Sequence, residues 1–371
     1  MRRRHRRRKW TLVCFLAAMA ILPVTAVLQR SSSEVHSSAA FQSESIHANT
    51  DPWYDQEDTV TWNVASDGFG WEEETAPSDI ETANVSISPS AEPGDKPYPT
   101  SWNLSADTTV KRTSYGIYSG TRFFSLFTAG QVQNKTSISN NELISESTKA
   151  PSFTIETNGE PQVLIMHTHT TESFEPYVRS NYDPNFNYRT TDPAYNMVSV
   201  GDAITEQLEA VGITAIHDTT IHDYPSYNGS YERSAETVKK ILEEHPTICV
   251  VLDIHRDAIQ DGNTLAQPVV EIDGKESAQV MIISGCDDGT MNMPKYLENF
   301  HFACQLQSSM EGMYPGLTRP ILFDYRKYNQ DLTTGSLLLE IGTHGNTLEQ
   351  AQYAGELVGK ALAQALLKLQ K

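Results

Sequence analysis

Apolar residues recur with two different spacings along the chain from about residue 153 onward. Short runs of apolar and β-branched residues predict buried strands, and apolar residues three or four positions apart predict amphipathic helices. The two kinds of segment alternate, which is typical of an α/β domain with a mostly parallel central sheet and flanking helices. The predicted strands are 162–166, 248–254, 269–272, 279–284 and 336–341, and the predicted helices are 195–211, 230–245, 295–313 and 347–369.

The residues before 153 show other patterns. Six Arg and one Lys within the first nine residues precede an uncharged apolar run from Trp10 to Leu28, which has the length of a transmembrane helix. The following stretch, 29–114, is rich in Ser, Thr, Asp, Glu, Asn and Pro and predicts a disordered linker. An apolar patch at Phe123–Phe127, followed by another polar stretch, predicts a short segment that docks on the main domain or on a partner.

These patterns predict four regions. They are a cytoplasmic basic tip with a transmembrane anchor (1–28), a disordered extracytoplasmic linker (29–114), a short docking segment (115–152) and the catalytic domain (153–371). Positive charge on one side of the apolar run keeps the N-terminus in the cytoplasm and exports the remainder, so we expect a single-pass cell-membrane protein. A cleaved signal peptide is the alternative interpretation of 1–28, and it also places the domain outside the cytoplasm.

The charge of the chain excludes one class of partner. The net charge is −19, and it becomes more negative when the basic tip is left out. Nucleic-acid binding needs a basic face that neutralises phosphates, so we expect no nucleic-acid partner.

Three predicted strands run directly into ionisable residues. The first is followed by His167, His169 and Glu172, the second ends in His255 and Arg256, and the third contains Glu340. The carboxyl ends of parallel strands meet at one edge of a sheet, which is where sites form in such folds. Imidazoles and a carboxylate are suitable zinc ligands, and catalytic zinc sites commonly have three protein ligands. The pattern therefore predicts a zinc (Zn²⁺) site in which Glu340 moves the proton during hydrolysis.

Other residues near these strand ends have two interpretations each. Asp253 is either a partner of a ligand or a buried, paired acid, and His344 is either part of the site or outside it. The segment with His217, His222 and Asp223 is polar, which favours a solvated loop. The sequence contains no Gly-x-Ser-x-Gly, no phosphate-binding loop and no His-Glu-x-x-His motif, so other common hydrolase classes are disfavoured.

The same residues carry a resemblance to a known family. The strings VLIMHTHTTESFEPY (163–177), HDYPSYNGSYERS (222–234), LDIHRDAI (252–259) and KYNQDLTTGSLLLEIGTHGNTLEQA (327–351) resemble the stage II sporulation protein P family. The resemblance covers roughly residues 120–370, includes the FFSLFTAG patch (123–130) and extends to the basic N-terminus with its single anchor. Several motifs in the right order make it specific.

The resemblance implies a fold like that of zinc N-acetylmuramoyl-L-alanine amidases. It implies cleavage between N-acetylmuramic acid and L-Ala of the peptidoglycan stem peptide, with an endopeptidase activity on cross-links, during septal wall thinning and engulfment in sporulation. The partners would be peptidoglycan, the cell membrane through the N-terminal helix, and the lytic transglycosylase and membrane protein of the engulfment machinery.

The resemblance also implies roles for individual residues. The metal ligands fall on His169 or His167, on Glu172 and on His255, and the catalytic residue falls on Glu340. Arg256 is the candidate for binding a substrate carboxylate. Two alternatives stay open: a non-catalytic wall-binding scaffold, and another zinc hydrolase such as a carboxypeptidase or a deacetylase.

Overall fold

Twelve strands and five helices make up the part of the chain that the computed structural model describes, residues 96–371. The strands are β1 (Thr109–Thr113), β2 (Phe123–Ser125), β3 (Gln131–Asn134), β4 (Val163–Met166), β5 (Ala215–His217), β6 (Val250–Asp257), β7 (Gln260–Asp261), β8 (Thr264–Ile272), β9 (Lys275–Ala278), β10 (Val280–Gly285), β11 (Ile321–Asp324) and β12 (Ser336–Thr343). The helices are α1 (Asn140–Glu146), α2 (Met197–Glu209), α3 (Ser230–Glu244), α4 (Tyr296–Met313) and α5 (Leu348–Leu367).

Eight of these strands form the central sheet, in the order β2-β3-β11-β10-β12-β6-β4-β5. Five of its seven pairings are parallel, and β10–β12 and β2–β3 are the antiparallel ones. This confirms the predicted α/β class with a mostly parallel sheet. A second, smaller sheet contains β1, β7, β8 and β9.

Helices cover both faces of the central sheet. Alternate residues of a strand point to opposite faces, and in β4 Val163 and Ile165 belong to the large core that α2, α4 and α5 share. Leu164 lies on the other face, in a smaller core with Val238 of α3. Strands that are buried on both faces must be apolar throughout, which is why the inner strands read as continuous apolar runs.

Helices α2 and α5 lie close together because α5 has glycines where they meet. A side chain at Gly355 would come within 2.9 Å of the Val200 carbonyl oxygen, and one at Gly359 within 2.8 Å of the Ile204 carbonyl oxygen. At its start, α5 has a capping box in which Thr347 and Gln350 satisfy each other's backbone N–H groups. This cap fixes the helix directly after β12.

The segment before residue 153 contributes more to the fold than its sequence pattern predicts. The apolar patch forms β2, which pairs with β3 at one edge of the central sheet. Strand β1 lies within the predicted linker and pairs in parallel with β8, as in Val110 opposite Leu265. These strands are only three to five residues long and partly polar, so their period is too short to detect. The four predicted regional boundaries remain predictions.

The predicted transmembrane anchor lies outside the described residues. Within residues 96–371, no helix combines the length and the apolar character that crossing a membrane requires.

Residues 96–108, which we call the strap, lie across the loop 174–195 that follows the first strand end. The Tyr98 hydroxyl donates to the carbonyl oxygen of Phe174 at 2.7 Å, and the Tyr98 ring stacks on Tyr195 with 4.6 Å between centroids. The Trp102 ring contacts Phe186 edge-on at 4.7 Å and lies under the Arg179 guanidinium at 4.6 Å. Because the loop has no regular strand or helix of its own, the strap supplies much of its packing.

Replacing Trp102 with Ala should lower the free energy of unfolding by about 2 kcal/mol, because an aromatic pair and a cation–π contact are lost with the buried ring area. Urea denaturation of the full chain measures this value. Leu104→Ala is the matched control, since Leu104 lies in the same strap but is 44% exposed. Equal effects of the two substitutions would show that the strap does not stabilise the loop.

Candidate active site

Strand register brings the three predicted strand ends together. Strand β6 lies between β4 and β12, with Met166 opposite Asp253 and Glu340 opposite His255. The loop that carries His169 and Glu172 begins directly after Met166. All of these groups therefore lie at one edge of the sheet, as the sequence predicts.

His169, Glu172 and His255 meet at this edge. The rings of His169 and His255 lie 5.1 Å apart, centroid to centroid, at an interplanar angle of 79°. Nδ1 of His255 is 3.8 Å from Oε2 of Glu172. Each of the three residues is no more than 4% exposed, so their polar atoms are withdrawn from bulk water.

His167 lies apart from this group. Its Nδ1 is 2.9 Å from the carbonyl oxygen of Ile254, and its Nε2 is 2.9 Å from Nε2 of His217. On the other side of the His217 ring, Nδ1 lies 2.9 Å from Oδ1 of Asp202. Both ring nitrogens of His167 thus have a neighbouring polar partner. Of the two alternatives, the geometry therefore favours His169 as the ligand.

The two imidazoles near Glu172 have opposite charge preferences. Burial, with the nearby His255 and Arg189, lowers the pKa of His169 well below its ordinary value, so this ring is neutral. Burial acts in the same direction on His255, but Asp253, Glu172 and Glu340 outweigh it and raise its pKa to about 9. Nε2 of His255 lies 2.8 Å from Oδ1 of Asp253, a close ion pair without good hydrogen-bond angles. The surrounding carboxylates thus favour a cation at this position.

Glu340 lies beside His255 and has one carboxylate oxygen buried without a hydrogen-bond partner. Burial, together with the negative charges of Asp257 and Glu172, raises its pKa to about 8. A carboxyl group whose pKa is near neutral can both accept and release a proton, which is what general acid–base catalysis requires.

Two arginines hold Glu172. The backbone N–H of Arg256 donates to Oε2 at 3.1 Å, and its guanidinium lies 3.4 Å from Oε1. The same guanidinium donates to the carbonyl oxygens of Ser173 and Tyr188, each at 3.3 Å. Arg189 approaches Oε1 to 3.7 Å from the other side. Arg256 is 7% exposed, so in this structure it positions Glu172 and the loop behind it.

The interpretation of 217–223 as a solvated loop is wrong for the end of this segment, where His222 and Asp223 are buried. His222 is fully buried: its Nδ1 lies 2.9 Å from the His167 carbonyl oxygen and its Nε2 lies 3.0 Å from Thr237. Asp223 accepts from Thr171 at 2.6 Å and from Arg189 at 2.7 Å. Polar side chains satisfied by one another can be buried, and their partners are distant in sequence, so composition does not reveal them.

Two tyrosines, Tyr227 and Tyr231, pack against the imidazoles of this group, and the sequence patterns did not assign either of them a role. The Tyr227 ring stacks on His169 at 4.5 Å, and its hydroxyl lies 2.9 Å from Nε2 of His169. The Tyr231 ring meets His169 edge-on at 5.6 Å and is nearly parallel to His255 at 6.4 Å. Both lie in the string 222–234, which carries part of the family resemblance. That resemblance is the feature of the sequence that could have pointed to them.

The donors at this edge fit zinc by their chemistry. Two imidazoles and one carboxylate are a common catalytic zinc set, and the carboxylates around His255 favour a cation. Among the described residues, no three His, Cys, Asp or Glu side chains have the mutual distances of a formed metal site. The donor types at this edge therefore fit zinc, whereas their distances in this structure are not those of a formed metal site.

The fold and the site define an α/β protein with a buried His-Glu-His group and a neighbouring glutamate at the carboxyl edge of its sheet. The family model described as stage II sporulation protein P (SpoIIP) matches residues 126–363. The chain therefore belongs to the stage II sporulation protein P family, as its motifs predict.

A curated relative supports this assignment. Stage II sporulation protein P of Bacillus subtilis (strain 168) is 34% identical over 211 residues, which cover 54% of this chain and 50% of that protein. The chain thus matches about half the length of this relative.

Solved structures show only a weak likeness. They include N-acetylmuramoyl-L-alanine amidase AmiC2 of Nostoc punctiforme (12% identity, TM-score 0.33, 56% of this chain and 96% of that chain) and the N-acetylmuramoyl-L-alanine amidase of Clostridium difficile 630 (15% identity, TM-score 0.34, 57% and 97%). TM-scores this low do not identify a fold or an activity.

His344 directly follows β12 and is buried, and its surroundings lead to a prediction about pH. It is 4% exposed and contacts the Tyr188 ring edge-on at 5.0 Å. Burial and the charge of Arg256 lower its pKa to about 3. The folded chain therefore keeps His344 neutral at pH values where the unfolded chain protonates it.

We expect His344 to make the folded state less stable as the pH falls below about 6.5, by about 1.4 kcal/mol per pH unit down to its folded pKa. In His344→Gln this contribution disappears, so the difference in unfolding free energy between variant and unsubstituted chain should change with pH in that window. Urea denaturation at several pH values measures it. A packing defect alone would shift the whole curve by a constant amount and leave its slope unchanged.

Proposed function

We propose that this chain is a zinc-dependent peptidoglycan hydrolase. Its reaction would be cleavage of the amide bond between N-acetylmuramic acid and L-Ala of the stem peptide, with peptide cross-links as a second substrate. The observation that carries the proposal is the meeting of His169, Glu172 and His255 beside Glu340 in a chain of a sporulation family. The bond and the wall substrate come from the family resemblance, and the residues supply the chemistry.

His169, Glu172 and His255 would hold the zinc ion. Zinc bound there would supply Lewis acidity, which polarises an amide carbonyl and makes water a nucleophile near neutral pH. The neutral state of His169 suits this role because a metal ligand must offer a lone pair. His255, which is cationic in the absence of metal, would give up its proton on binding.

Glu340 would act as the general base and then as the general acid. It would take a proton from the attacking water and pass it to the leaving amine. Its Oε2 is buried without a hydrogen-bond partner and is therefore free to make this hydrogen bond. The raised pKa keeps the proton exchangeable near neutral pH.

Arg256 would position Glu172 rather than bind a substrate carboxylate. Its guanidinium already faces Glu172 and two backbone carbonyl groups. Fixing the carboxylate orientation in advance lowers the cost of forming the metal site.

The setting of the reaction is part of the proposal. Residues 1–28 would anchor the protein in the cell membrane and place the hydrolase outside the cytoplasm, where the septal wall is remodelled during sporulation and engulfment. The sporulation lytic transglycosylase and the engulfment membrane protein would be its partners, because a glycan-cleaving enzyme and an amidase remove complementary parts of the wall.

The deciding experiment measures bound zinc and wall digestion with the purified full-length chain, before and after chelation. We expect one zinc per chain, loss of digestion on chelation, recovery with added zinc, and released peptides that begin with L-Ala. Peptides cut at cross-links would indicate endopeptidase activity, and products cut elsewhere would indicate a carboxypeptidase or a deacetylase. Undiminished digestion without metal would contradict the proposal, and a folded chain with neither metal nor activity would indicate a scaffold.

Replacing Glu340 with Gln should reduce the turnover number by about 10²–10⁴-fold, because the proton can no longer be transferred. Zinc content should stay at the unsubstituted level, since Glu340 is not among the proposed ligands. The matched control is Glu349→Gln, which changes an exposed glutamate in the first turn of α5. Retained digestion by the Glu340 variant would exclude its catalytic role.

A further inference from the structure

In each of the two imidazoles at the candidate site, one ring nitrogen would bind the metal. The other ring nitrogen needs a hydrogen-bond partner of its own. A ligating His usually donates its other ring N–H to a fixed acceptor, which selects the tautomer and the ring orientation. The neighbours of all four nitrogens are therefore informative, and they differ between His255 and His169.

For His255 the assignment is direct. Nε2 faces Asp253 at 2.8 Å, and Nδ1 faces Glu172 at 3.8 Å. Asp253 is itself fixed, because Oδ1 accepts from the Thr168 backbone N–H at 2.8 Å and Oδ2 accepts from the Thr168 hydroxyl at 2.7 Å. Nδ1 is thus the nitrogen of His255 that faces the other ligand.

For His169 the corresponding outer group is not a carboxylate. Its Nε2 lies 2.9 Å from the Tyr227 hydroxyl, while its Nδ1 lies 3.5 Å from Oγ of Ser230 and 4.0 Å from Oδ2 of Asp223. The contact to Ser230 is long for a hydrogen bond. The Asp223 oxygen already accepts from Thr171 and Arg189. Tyr227 therefore makes the one short hydrogen bond among these contacts of the ring.

Tyr227 is held in place from two directions. The buried Arg233 braces the loop before α3, donating to the carbonyl oxygens of His222 at 2.7 Å, Ser226 at 2.6 Å and Asn228 at 3.0 Å. The Arg189 guanidinium lies over the Tyr227 ring at 4.9 Å. A phenol oxygen fixed in this way can accept a hydrogen bond from the N–H of a neutral imidazole.

We infer that Tyr227 is a positioning residue of the candidate metal site: its hydroxyl oxygen accepts a hydrogen bond from Nε2–H of His169, which leaves Nδ1 of His169 without a proton and available to bind zinc. The inference rests on the proposed function. Both imidazoles would then bind through Nδ1 and have an outer partner at Nε2, Asp253 for His255 and Tyr227 for His169.

The experiment compares zinc affinity, by competition with a chelating indicator, in the full-length chain and in Tyr227→Phe. We expect the variant to bind zinc about 10–100-fold more weakly, the usual effect of removing an outer partner. The matched control is Tyr231→Phe, because the Tyr231 ring also packs on both imidazoles but contacts His169 with its ring edge and not through a hydrogen bond of its hydroxyl. Its zinc affinity should stay within about threefold of the unsubstituted value.

Nitrogen NMR of ¹⁵N-histidine in the metal-free chain provides a readout that a purely structural role would not move. The His169 signals, identified by their loss in His169→Asn, should show the Nε2–H tautomer in the unsubstituted chain and in Tyr231→Phe. In Tyr227→Phe a mixture of tautomers is expected, because neither nitrogen then has a short hydrogen bond.

The outcomes separate this inference from the proposed function. Equal zinc affinities of Tyr227→Phe and the unsubstituted chain, or an Nδ1–H tautomer of His169, would overturn the role of Tyr227 and leave the zinc hydrolase standing. Failure of the unsubstituted chain to bind zinc would overturn the proposed function, and with it the role of Tyr227. Equal weakening in both Tyr variants would show that the effect is not specific to the hydroxyl that contacts His169, and would also overturn the inference.

Discussion

Parallel pairing of three neighbouring strands, β4, β6 and β12, is the constraint on which the rest of the site depends. Parallel strands end at the same edge, so residues far apart in sequence are brought together without any contact between the intervening segments. The register sets Glu340 opposite His255 and places His169 and Glu172 in the loop just beyond. A shift of one residue in any of these strands would turn the polar side chains to the other face of the sheet. Both faces are packed with helices, and that packing fixes the register.

Burial of charge at this edge has an energetic consequence. An unpaired charge is costly in the interior of a protein. Four ionisable residues nevertheless lie together at this edge of the central sheet: His255, Asp253, Glu172 and Glu340. The structure offsets part of this cost with Arg256 on Glu172 and with the Thr168 hydrogen bonds to Asp253. The carboxylate charge that is not offset in this way acts on His255 and raises its pKa to about 9. The site thus favours a positive charge at His255.

Sequence periodicity was sufficient for the long elements and failed for the short ones. The inner strands and α2–α5 lie where their apolar patterns predict, because each pattern extends over enough residues to define a period. Strands β1, β2, β3, β5, β7, β9 and β11 were not predicted as strands. They are five residues or shorter, which is too short for an apolar pattern to define a period. The strap was also missed, because its aromatic residues pack against a loop that is distant in sequence.

The sequence by itself determined the fold class, the family and which strand ends carry imidazole and carboxylate groups, because these properties depend on local pattern and residue type. Only the tertiary structure distinguishes the surroundings of His167 and His169: both follow the same strand, but the neighbour of one is His217 and the neighbour of the other is His255. It also decided that His222 and Asp223 are buried and that Tyr227 contacts the site. The physical reason is common to all three: hydrogen-bond partners and burial are set by packing between segments that are far apart in the chain, and composition does not encode that packing.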